Sequence, residues 1–366
     1  MSEPSFTLGI EEEYFLVDRE SRELVREPDV SFLAACQDAV GDRVTNEFLL
    51  CQIEVGTKPH RLVGDAVREL GELRSGISAA AERFGYAPIA ASTHPFSAWR
   101  RQRHTPKERY DGLAEDLGQA ARRMLIGGMH IHIGIEDDDL RVDLMNQVSY
   151  FVPHFLALSC SSPFWEGDDT GLASYRMTVF DALPRTGLPD LVTSHTEYRR
   201  LVGQLVGAGC IEDATKIWWD VRPSDRFPTL EIRVMDVCAR LRDAAAIAAL
   251  YQSLIATLYR LKTRNQRWRL YPRTLIMENR WRAARYGSAG DLVDHGRAAM
   301  MPFPTLVEEL IDLTAAEAES LGCVTELQHL RRIAQEGTSA MRQRAAFAAG
   351  GGPGVVDQLI AEFVER

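Results

Sequence analysis

The chain has 366 residues, 45% of them hydrophobic and 26% charged, which is the composition of an ordinary globular protein able to bury a substantial core. Its formal net charge of −10 argues against a nucleic-acid-binding protein, because such proteins usually carry a basic face. No run of 18 or more apolar residues occurs, so we expect no transmembrane helix and no membrane partner. Residues 1–4 lack the basic and apolar regions of a signal peptide, which predicts a cytoplasmic protein.

Six cysteines are scattered along the chain, and none forms a CxxC pair. This spacing indicates neither a disulfide framework nor a cysteine zinc site. We therefore expect buried, reduced thiols.

Alternation with period 2 predicts several strands in the first part of the chain, with helices between them. The predicted strands are Phe6–Val17, Phe48–Thr57, Ala87–Thr93, Met129–Ile135 and Thr229–Asp236, and the intervening helices are Val63–Phe84, Val142–Leu158 and Leu191–Val206. After Asp236 the pattern is almost wholly helical, at Ala244–Leu261, Pro304–Leu313, Ala315–Leu321, Thr325–Gln335 and Val355–Val364. The small residues at 348–354 predict a surface loop between two C-terminal helices.

These elements favour an α+β fold with one mostly antiparallel sheet over a doubly wound parallel sheet, because strands and helices do not alternate strictly. We find no linker or composition change that would divide the chain. The sequence therefore predicts a single catalytic domain over residues 1–366, in which a mixed part (1–237) carries a helical part (238–366) packed on it.

Four predicted strands each place two polar side chains on one face, opposite a largely apolar face. In chain order the pairs are Glu11 with Glu13, Gln52 with Glu54, His130 with His132, and Glu231 with Arg233. Glu12 is the polar exception on the apolar side. A solvent-exposed face could explain any one strand, but four such faces flanked by glycines point to close approach of a ligand.

Carboxylates at Glu11, Glu13, Glu54 and Glu231, together with an imidazole, suit Mg²⁺ or Mn²⁺ better than zinc. Clustered carboxylates repel one another, and divalent cations next to a polyphosphate would remove that conflict. The guanidinium groups of Arg176, Arg222 and Arg233 are candidates for bidentate contacts to phosphate or to a substrate carboxylate. This equipment is typical of phosphoryl transfer, and the sequence has neither a Walker motif nor a GxGxxG turn.

An ordered set of short motifs spans nearly the whole chain. The motifs lie at residues 9–14 (GIEEEY), 52–54 (QIE), 92–96 (STHPF), 127–134 (GGMHIHIG), 162–165 (SPFW), 169–171 (DTG), 174–176 (SYR), 219–223 (WDVRP), 231–233 (EIR) and 278–287 (ENRWRAARYG). Together they resemble the glutamate–cysteine ligase type 2, or carboxylate–amine ligase, family, which is related in fold to glutamine synthetase.

The resemblance implies a curved antiparallel sheet shaped like part of a barrel, with helices outside and with ATP and Mg²⁺ or Mn²⁺ on its concave face. It implies that the metal ligands are Glu11, Glu13, Glu54, His130 and Glu231. Glu47 can join them only if the chain is irregular between Glu47 and Leu50. It further implies that the catalytic arginines are Arg233, Arg176 and Arg222, with Arg176 facing substrate. Arg233 and Arg222 are expected to contact the phosphates of the nucleotide or glutamate, and His132 the nucleotide or a metal. A homo-oligomer, a dimer above all, is the expected assembly.

By the same resemblance, the reaction joins the γ-carboxylate of glutamate to an amine, cysteine by family likeness, through a γ-glutamyl phosphate. A different amine, a metal-dependent hydrolase and a non-catalytic relative are the alternatives. Trp165, Tyr175, Trp218 and Trp219 either line the second substrate pocket or pack in the core. One departure from the family pattern is Asp168, where a basic residue is common, and it puts substrate affinity or choice in question.

Overall fold

The computed structural model describes residues 3–365, and the side chains of all of these except Arg109, Leu113 and Ala114. The first two residues of the N-terminal stretch considered above therefore lie outside the described part. The strands are β1 (Leu8–Asp18), β2 (Val44–Asn46), β3 (Gln52–Gly56), β4 (Tyr86–Ile89), β5 (Met129–Gly134), β6 (Phe164–Trp165), β7 (Asp168–Asp169), β8 (Thr186–Gly187), β9 (Trp218–Trp219), β10 (Val221–Pro223), β11 (Thr229–Ile232), β12 (Asp291–Asp294) and β13 (Ala299–Pro302).

Helices account for most of the remaining chain. They are α1 (Phe32–Val40), α2 (Val63–Glu82), α3 (Glu108–Leu117), α4 (Gln119–Arg122), α5 (Asp138–Val148), α6 (Val152–Ser159), α7 (Arg176–Phe180), α8 (His195–Gly207), α9 (Leu241–Thr263), α10 (Arg273–Tyr286), α11 (Phe303–Ser320), α12 (Val324–Gln328), α13 (Leu330–Glu336) and α14 (Ser339–Phe363).

A seven-stranded antiparallel sheet is the centre of the fold, with the order β10-β11-β5-β1-β3-β2 and with β4 also paired to β1. The long strand β1 makes this possible, because it pairs with β5 along residues 8–12 and with β3 along residues 11–15. Its last residues pair with β4. The predicted α+β class with a mostly antiparallel sheet is thereby confirmed.

The two faces of the sheet differ as the period-2 pattern predicts. Leu8, Ile10, Tyr14 and Leu16 of β1 are buried on one face. Below them lie α9 and α2, which pack against each other and against strands of the sheet. One continuous hydrophobic cluster reaches from Ile131 of β5 into the C-terminal helices, so residues 1–237 and 238–366 share a core.

Helix α9 is long and apolar enough to cross a membrane by length and composition, with a mean hydropathy of 1.3 over its best window. However, 83% of that window is buried inside the protein. It is the central core helix, and its buried alanines allow α11 and α12 to pack closely against it.

The structure corrects several predicted boundaries. The predicted strand Phe48–Thr57 begins only at Gln52, and β2 precedes an irregular segment. The predicted strands Ala87–Thr93 and Thr229–Asp236 end early, at Ile89 and Ile232. The predicted helix Val142–Leu158 is two helices, with a 3₁₀ turn at Ser149–Phe151 and Pro153 in the first turn of the second.

The C-terminal part differs from its prediction in four places. The predicted helices Pro304–Leu313 and Ala315–Leu321 are one continuous helix, α11, whereas Thr325–Gln335 is divided into α12 and α13. The predicted loop at 348–354 is only a break at Gly350 and Gly351, where Gly351 has φ +62°. The strand pair β12–β13 interrupts the expected helical run.

The expectation of buried, reduced cysteines is confirmed for five of the six. Every cysteine is free of a disulfide, and Cys210 is the exposed exception.

Candidate functional site

The four pairs of polar side chains predicted from the sequence lie together on one face of the sheet, the polar face. Directly opposite residues share a face of an antiparallel sheet, so the register fixes the arrangement. Glu11 lies opposite His130, Glu13 opposite Glu54, and Glu231 opposite both His132 and Arg222. Five strands thus bring carboxylates, imidazoles and guanidiniums onto one surface.

Three of these side chains lie close enough to hold one metal ion. Potential ligand atoms of Glu11, His132 and Glu231 all lie within 4.8 Å of one another. The Nε2 atom of His132 is 3.5 Å from Oε1 of Glu11 and 4.0 Å from Oε1 of Glu231. His130 extends the cluster, because its Nδ1 atom is 3.4 Å from Oε2 of Glu11.

His132 is held in one ring orientation. Its Nδ1 atom and the hydroxyl of Thr229 share a hydrogen bond of 2.9 Å, while Nε2 is buried and has no hydrogen-bond partner among the described residues. Burial lowers the pKa of His132, but the carboxylates of Glu11 and Glu231 raise it more. A buried ring nitrogen that faces two carboxylates is an arrangement that a divalent cation would satisfy in place of the proton.

The pKa values of the two histidines are shifted in opposite directions. Burial and the charge of Arg233 lower the pKa of His130 to about 4, although Glu11 opposes the shift. At neutral pH the His130 ring is therefore uncharged, which is the state in which imidazole binds a metal ion.

Two arginines hold Glu231 in place. Arg222 donates from Nε to Oε2 of Glu231 at 2.9 Å, and Arg233 donates to Oε1 of the same carboxylate. Burial raises the pKa of Glu231, but both guanidiniums oppose this and keep the pKa below its usual value. Glu231 therefore stays ionised although it is only 2% exposed.

The third arginine, Arg176 of α7, lies under the chain that follows β11. Its guanidinium donates to the carbonyl oxygens of Val234 and Arg233, each at 3.1 Å. It passes so close to the sheet that a Cβ on Gly128 would lie 2.5 Å from its Nη2 atom. A glycine is therefore required at position 128 for the observed placement of Arg176.

At the other end of the polar face, the carboxylates of Glu13, Glu54 and Glu47 lie close together. Burial, and then the charge of Glu47, raise the pKa of Glu13 to about 8. Burial followed by the charges of Glu47, Glu11 and Glu13 raises the pKa of Glu54 well above its usual value. Ionising all of them together requires added positive charge, which fits divalent cations.

Glu47 reaches the carboxylates of Glu13 and Glu54 because the chain between Glu47 and Leu50 is irregular. Residues 47–51 lie between β2 and β3 and belong to neither strand. The Glu47 carboxylate accepts hydrogen bonds from the backbone N–H of Phe48 at 2.6 Å and from the Tyr110 hydroxyl at 3.2 Å. The condition placed on Glu47 in the sequence analysis is met.

A cavity of about 300 Å³ opens onto the whole face. Its walls include all the predicted site residues, namely Glu11, Glu13, Glu47, Glu54, His130, His132, Arg176, Arg222, Glu231 and Arg233. The remaining wall is apolar at the Met124 and Phe180 side and polar at the Lys216 side. One cavity therefore brings every predicted site residue together, while their individual roles stay predictions.

Of the four aromatic residues considered for a second pocket, one lines the cavity. Trp218 does so, whereas Trp219 is buried in the main core. Trp165 and Tyr175 pack against each other with ring centroids 5.2 Å apart.

Several cavity residues were not found from the sequence, among them Tyr110, Lys216 and Phe227. Phe227 is 56% exposed and meets the ring of His132 edge to face at 6.3 Å. Its position in the short turn between β10 and β11, beside two predicted site strands, is the signal that could have identified it.

Comparison with known proteins gives the family. The model of the glutamate–cysteine ligase family 2 matches residues 7–361. A Rhodospirillum rubrum protein provisionally named glutamate–cysteine ligase 2 is 56% identical, over all of this chain and 97% of that protein. A Ruegeria pomeroyi protein with the same provisional name is 54% identical, over 98% of this chain and 94% of its own length.

This chain belongs to glutamate–cysteine ligase family 2. Two solved structures also resemble it. Glutamate–cysteine ligase from Francisella tularensis, in complex with AMP, has a TM-score of 0.71 at 14% identity and covers 100% of this chain and 90% of that chain. A bifunctional glutathione synthetase from Pasteurella multocida has a TM-score of 0.70 at 15% identity, over 98% of this chain and 53% of that chain. These likenesses show a glutamate–cysteine ligase fold.

Asp168, the residue that differs from the family pattern, is not among the residues described for the cavity wall. It is an exposed residue of β7, opposite Trp165. Its neighbour Asp169 accepts two hydrogen bonds from Arg344 of α14.

Proposed function

We propose that this member of the family is an ATP-dependent ligase that forms an amide between the γ-carboxylate of glutamate and an amine. Family likeness favours cysteine as the amine. The observation that carries the proposal is the pairing, in one cavity, of crowded carboxylates at Glu13 and Glu54 with partly buried guanidiniums at Arg222 and Arg233. Anionic substrates and compensating cations are the ligands that such a surface accepts.

We propose Glu11, Glu13, Glu54, His130 and Glu231 as metal ligands, with Glu47 and His132 as further candidates. The close group of Glu11, His132 and Glu231, with the unpartnered Nε2 of His132, supports a place for His132 among them. Bound Mg²⁺ or Mn²⁺ would supply neutralisation of charge on the phosphates of ATP.

The arginines have separate proposed roles. Arg233 lies between Glu231 and the ring of His130, and its Nε atom is buried without a partner in the described structure. This supports a role in holding the transferring phosphoryl group. Arg222 would contact phosphate or glutamate, and Arg176, whose Nε atom is also unpartnered, would face the substrate.

In the proposed reaction the γ-carboxylate oxygen of glutamate attacks the γ-phosphorus of ATP, and the bond to the bridging oxygen of ADP breaks. The amine then attacks the carbonyl carbon of the γ-glutamyl phosphate, loses a proton and expels phosphate. We further propose that residues 1–366 act as one catalytic domain.

The test is an assay of the purified protein with ATP, MgCl₂ and L-glutamate, to which amino acids and amines are added one at a time. ADP and phosphate are measured together with the mass of any γ-glutamyl product. Release of ADP that requires both glutamate and one amine supports the ligase and names its second substrate. Turnover of an amide or ester without ATP would instead favour the hydrolase, and absence of both ATP binding and ADP release would favour a non-catalytic protein.

A further inference from the structure

Helix α10 carries most of the motif at residues 278–287, which supplies no residue to the wall described for the cavity of the candidate site. Within this motif the side chain of Arg280 is 4% exposed and contacts two aspartates. Its Nε atom donates to Oδ2 of Asp220 at 2.7 Å, and its Nη1 atom donates to Oδ2 of Asp181 at 2.7 Å. The Nη2 atom donates to the second oxygen of each carboxylate, at 3.1 and 2.7 Å respectively. One guanidinium therefore joins two distant segments of the chain.

The first of these segments ends helix α7. This helix has only five residues, begins with Arg176 and is followed directly by Asp181. A helix of this length is not stable without contacts to the rest of the protein. The N–H of Asp181 donates to the carbonyl of Met177 at 2.9 Å, so its backbone belongs to the last turn of the helix. The ion pair with Arg280 thus fixes one end of the helix that presents Arg176.

The chain that enters α7 is held by the same helix α10. The carbonyl of Ala284 accepts hydrogen bonds from the N–H groups of Ala173 and Ser174, at 2.8 and 2.9 Å. Both ends of α7 are therefore attached to α10. The place of Arg176 in the cavity depends on these attachments.

The second segment lies between β9 and β10 and supports the other two arginines of the site. Asp220 is 1% exposed, and its carbonyl accepts from the backbone N–H of Arg233 at 2.7 Å. Its own N–H donates to the carbonyl of Gly187 at 2.8 Å. Arg222 follows two residues later, in β10. Holding the Asp220 carboxylate thus fixes the backbone from which Arg222 and Arg233 extend.

The contact requires a guanidinium. A planar fork of N–H donors can meet two carboxylates at once, whereas the ammonium group of lysine is a single point charge. Burial raises the pKa of Asp220, and the charge of Arg280 is the strongest opposing influence. Arg280 therefore supplies both the geometry and the charge that this buried carboxylate needs.

We propose that Arg280 is a positioning residue for the candidate active site. Through Asp181 it sets the place of Arg176, and through Asp220 it sets the place of the two arginines on the β10–β11 side. Three guanidiniums from separate parts of the chain then meet in one cavity. The expected effect on turnover rests on the proposed function, whereas the contacts of Arg280 do not.

Two variants test this role in the release of ADP, with the amine that supports turnover by the wild type. Asp181→Ala removes a partner whose side chain is 39% exposed and keeps the buried pair of Arg280 and Asp220, so we expect it to fold. Arg280→Lys keeps the charge but loses the fork. We expect kcat to fall about tenfold or more in each, with the KM for ATP changed by less than about twofold.

The double variant and a control separate positioning from a general loss. Since Asp181→Ala and Arg280→Lys disturb one contact, the double variant should lose less activity than the product of the two single effects. Arg282→Lys is the matched control on the same helix, because the Nε atom of Arg282 donates to the carbonyl of Asp291, in β12. It should turn over as wild type.

Hydrogen–deuterium exchange, which needs no turnover, measures the positioning itself. In both variants the N–H groups of residues 177–183 and 218–222 should exchange about tenfold faster, while those of β1 keep the wild-type rate. The proposal is overturned by unchanged exchange in these segments, by equally faster exchange in β1, or by a wild-type kcat in both variants. If the wild type releases no ADP with any amine, the proposed function fails instead, and exchange alone decides the role of Arg280.

Discussion

Arg74 and Glu12 form a buried bidentate ion pair directly beneath the polar face of the sheet. The guanidinium donates from Nη2 to Oε1 at 2.7 Å and from Nε to Oε2 at 3.0 Å, and the two side chains are 2% and 0% exposed. Tyr14 donates to the same carboxylate, and Arg74 also donates to the carbonyls of Cys238 and Ala239. The pair thus ties α2 and β1 to the chain leaving the candidate site.

Replacing one partner of this pair should destabilise the protein strongly. Arg74→Met leaves the Glu12 carboxylate buried without its cation, and we expect the free energy of unfolding to fall by about 3–5 kcal/mol. The double variant Arg74→Met/Glu12→Leu should recover at least half of that loss, because an apolar pair needs no desolvation of charge. Urea unfolding of the wild type and the two variants measures both numbers. A loss below about 1 kcal/mol in Arg74→Met would show that the pair does not stabilise this fold.

The sequence predicted the side of the sheet on which each polar residue lies, because side chains alternate along a strand whatever the rest of the chain does. It also identified Glu12 as an exception on the apolar side. It could not find Arg74, which is 62 residues away and approaches from a helix on the other side of the core. Partners of this kind are set by helix packing, for which a single sequence carries little local signal.

The same limit applies to the site. Family likeness and strand patterns predicted the residues on β1, β3, β5 and β11, and the register places them opposite one another. Tyr110 arrives from α3, and nothing in its local sequence indicates that it bonds to Glu47. Irregular segments and helix ends, where backbone direction has no short period, account for most of what was missed.

Replacing the carboxyl group of Glu54 by an amide should reduce activity without reducing stability. Burial, and then the charges of Glu47, Glu11 and Glu13, oppose ionisation of Glu54, so the metal-free Glu54→Gln variant should melt no lower than the wild type. Its release of ADP should fall by about 100-fold or more. Added MgCl₂ should raise the melting temperature of the wild type by about 2–4 °C, with a smaller rise in the variant.

Glu72→Gln, at an exposed position of α2, is the matched control for that loss of charge and should behave as wild type. If Glu54→Gln melts well below the metal-free wild type, the carboxylate is structural. If it turns over ATP at the wild-type rate, Glu54 is not part of the metal site.

Displacing the guanidinium of Arg176 should reduce activity even though no charged residue is replaced. In Gly128→Ala the new Cβ would lie 2.5 Å from Nη2 of Arg176, so the guanidinium must shift. We expect ADP release to fall by on the order of 10–100-fold, since small displacements of a positioning group are costly. The control is Gly9→Ala in β1. A Cβ at position 9 would have no atom within 4 Å, so this variant should fold and melt as wild type. Equal activity of Gly128→Ala and wild type would remove Arg176 from the reaction.

Stability should fall in mild acid because His94 is buried in its neutral form. Its Nε2 atom donates to the carbonyl of Arg22 at 3.0 Å, and its Nδ1 atom accepts from the backbone N–H of Ser97 at 2.9 Å. A proton on Nδ1 would point at the backbone N–H of Ser97, so the hydrogen bond between these two atoms would be lost. Burial lowers the pKa of His94 to about 3 from an ordinary value of 6.5.

Between those two values the unfolded chain binds a proton at His94 that the folded protein does not. The stability that the neutral ring provides is therefore fully present above pH 6.5 and is lost as the pH falls, at about 1.4 kcal/mol per pH unit for one histidine. His154, whose pKa burial lowers to about 4, adds to the same slope. Urea unfolding at pH 7.0, 6.0 and 5.0 should show a smaller slope in His94→Gln than in the wild type, and identical slopes would mean that His94 does not carry the effect.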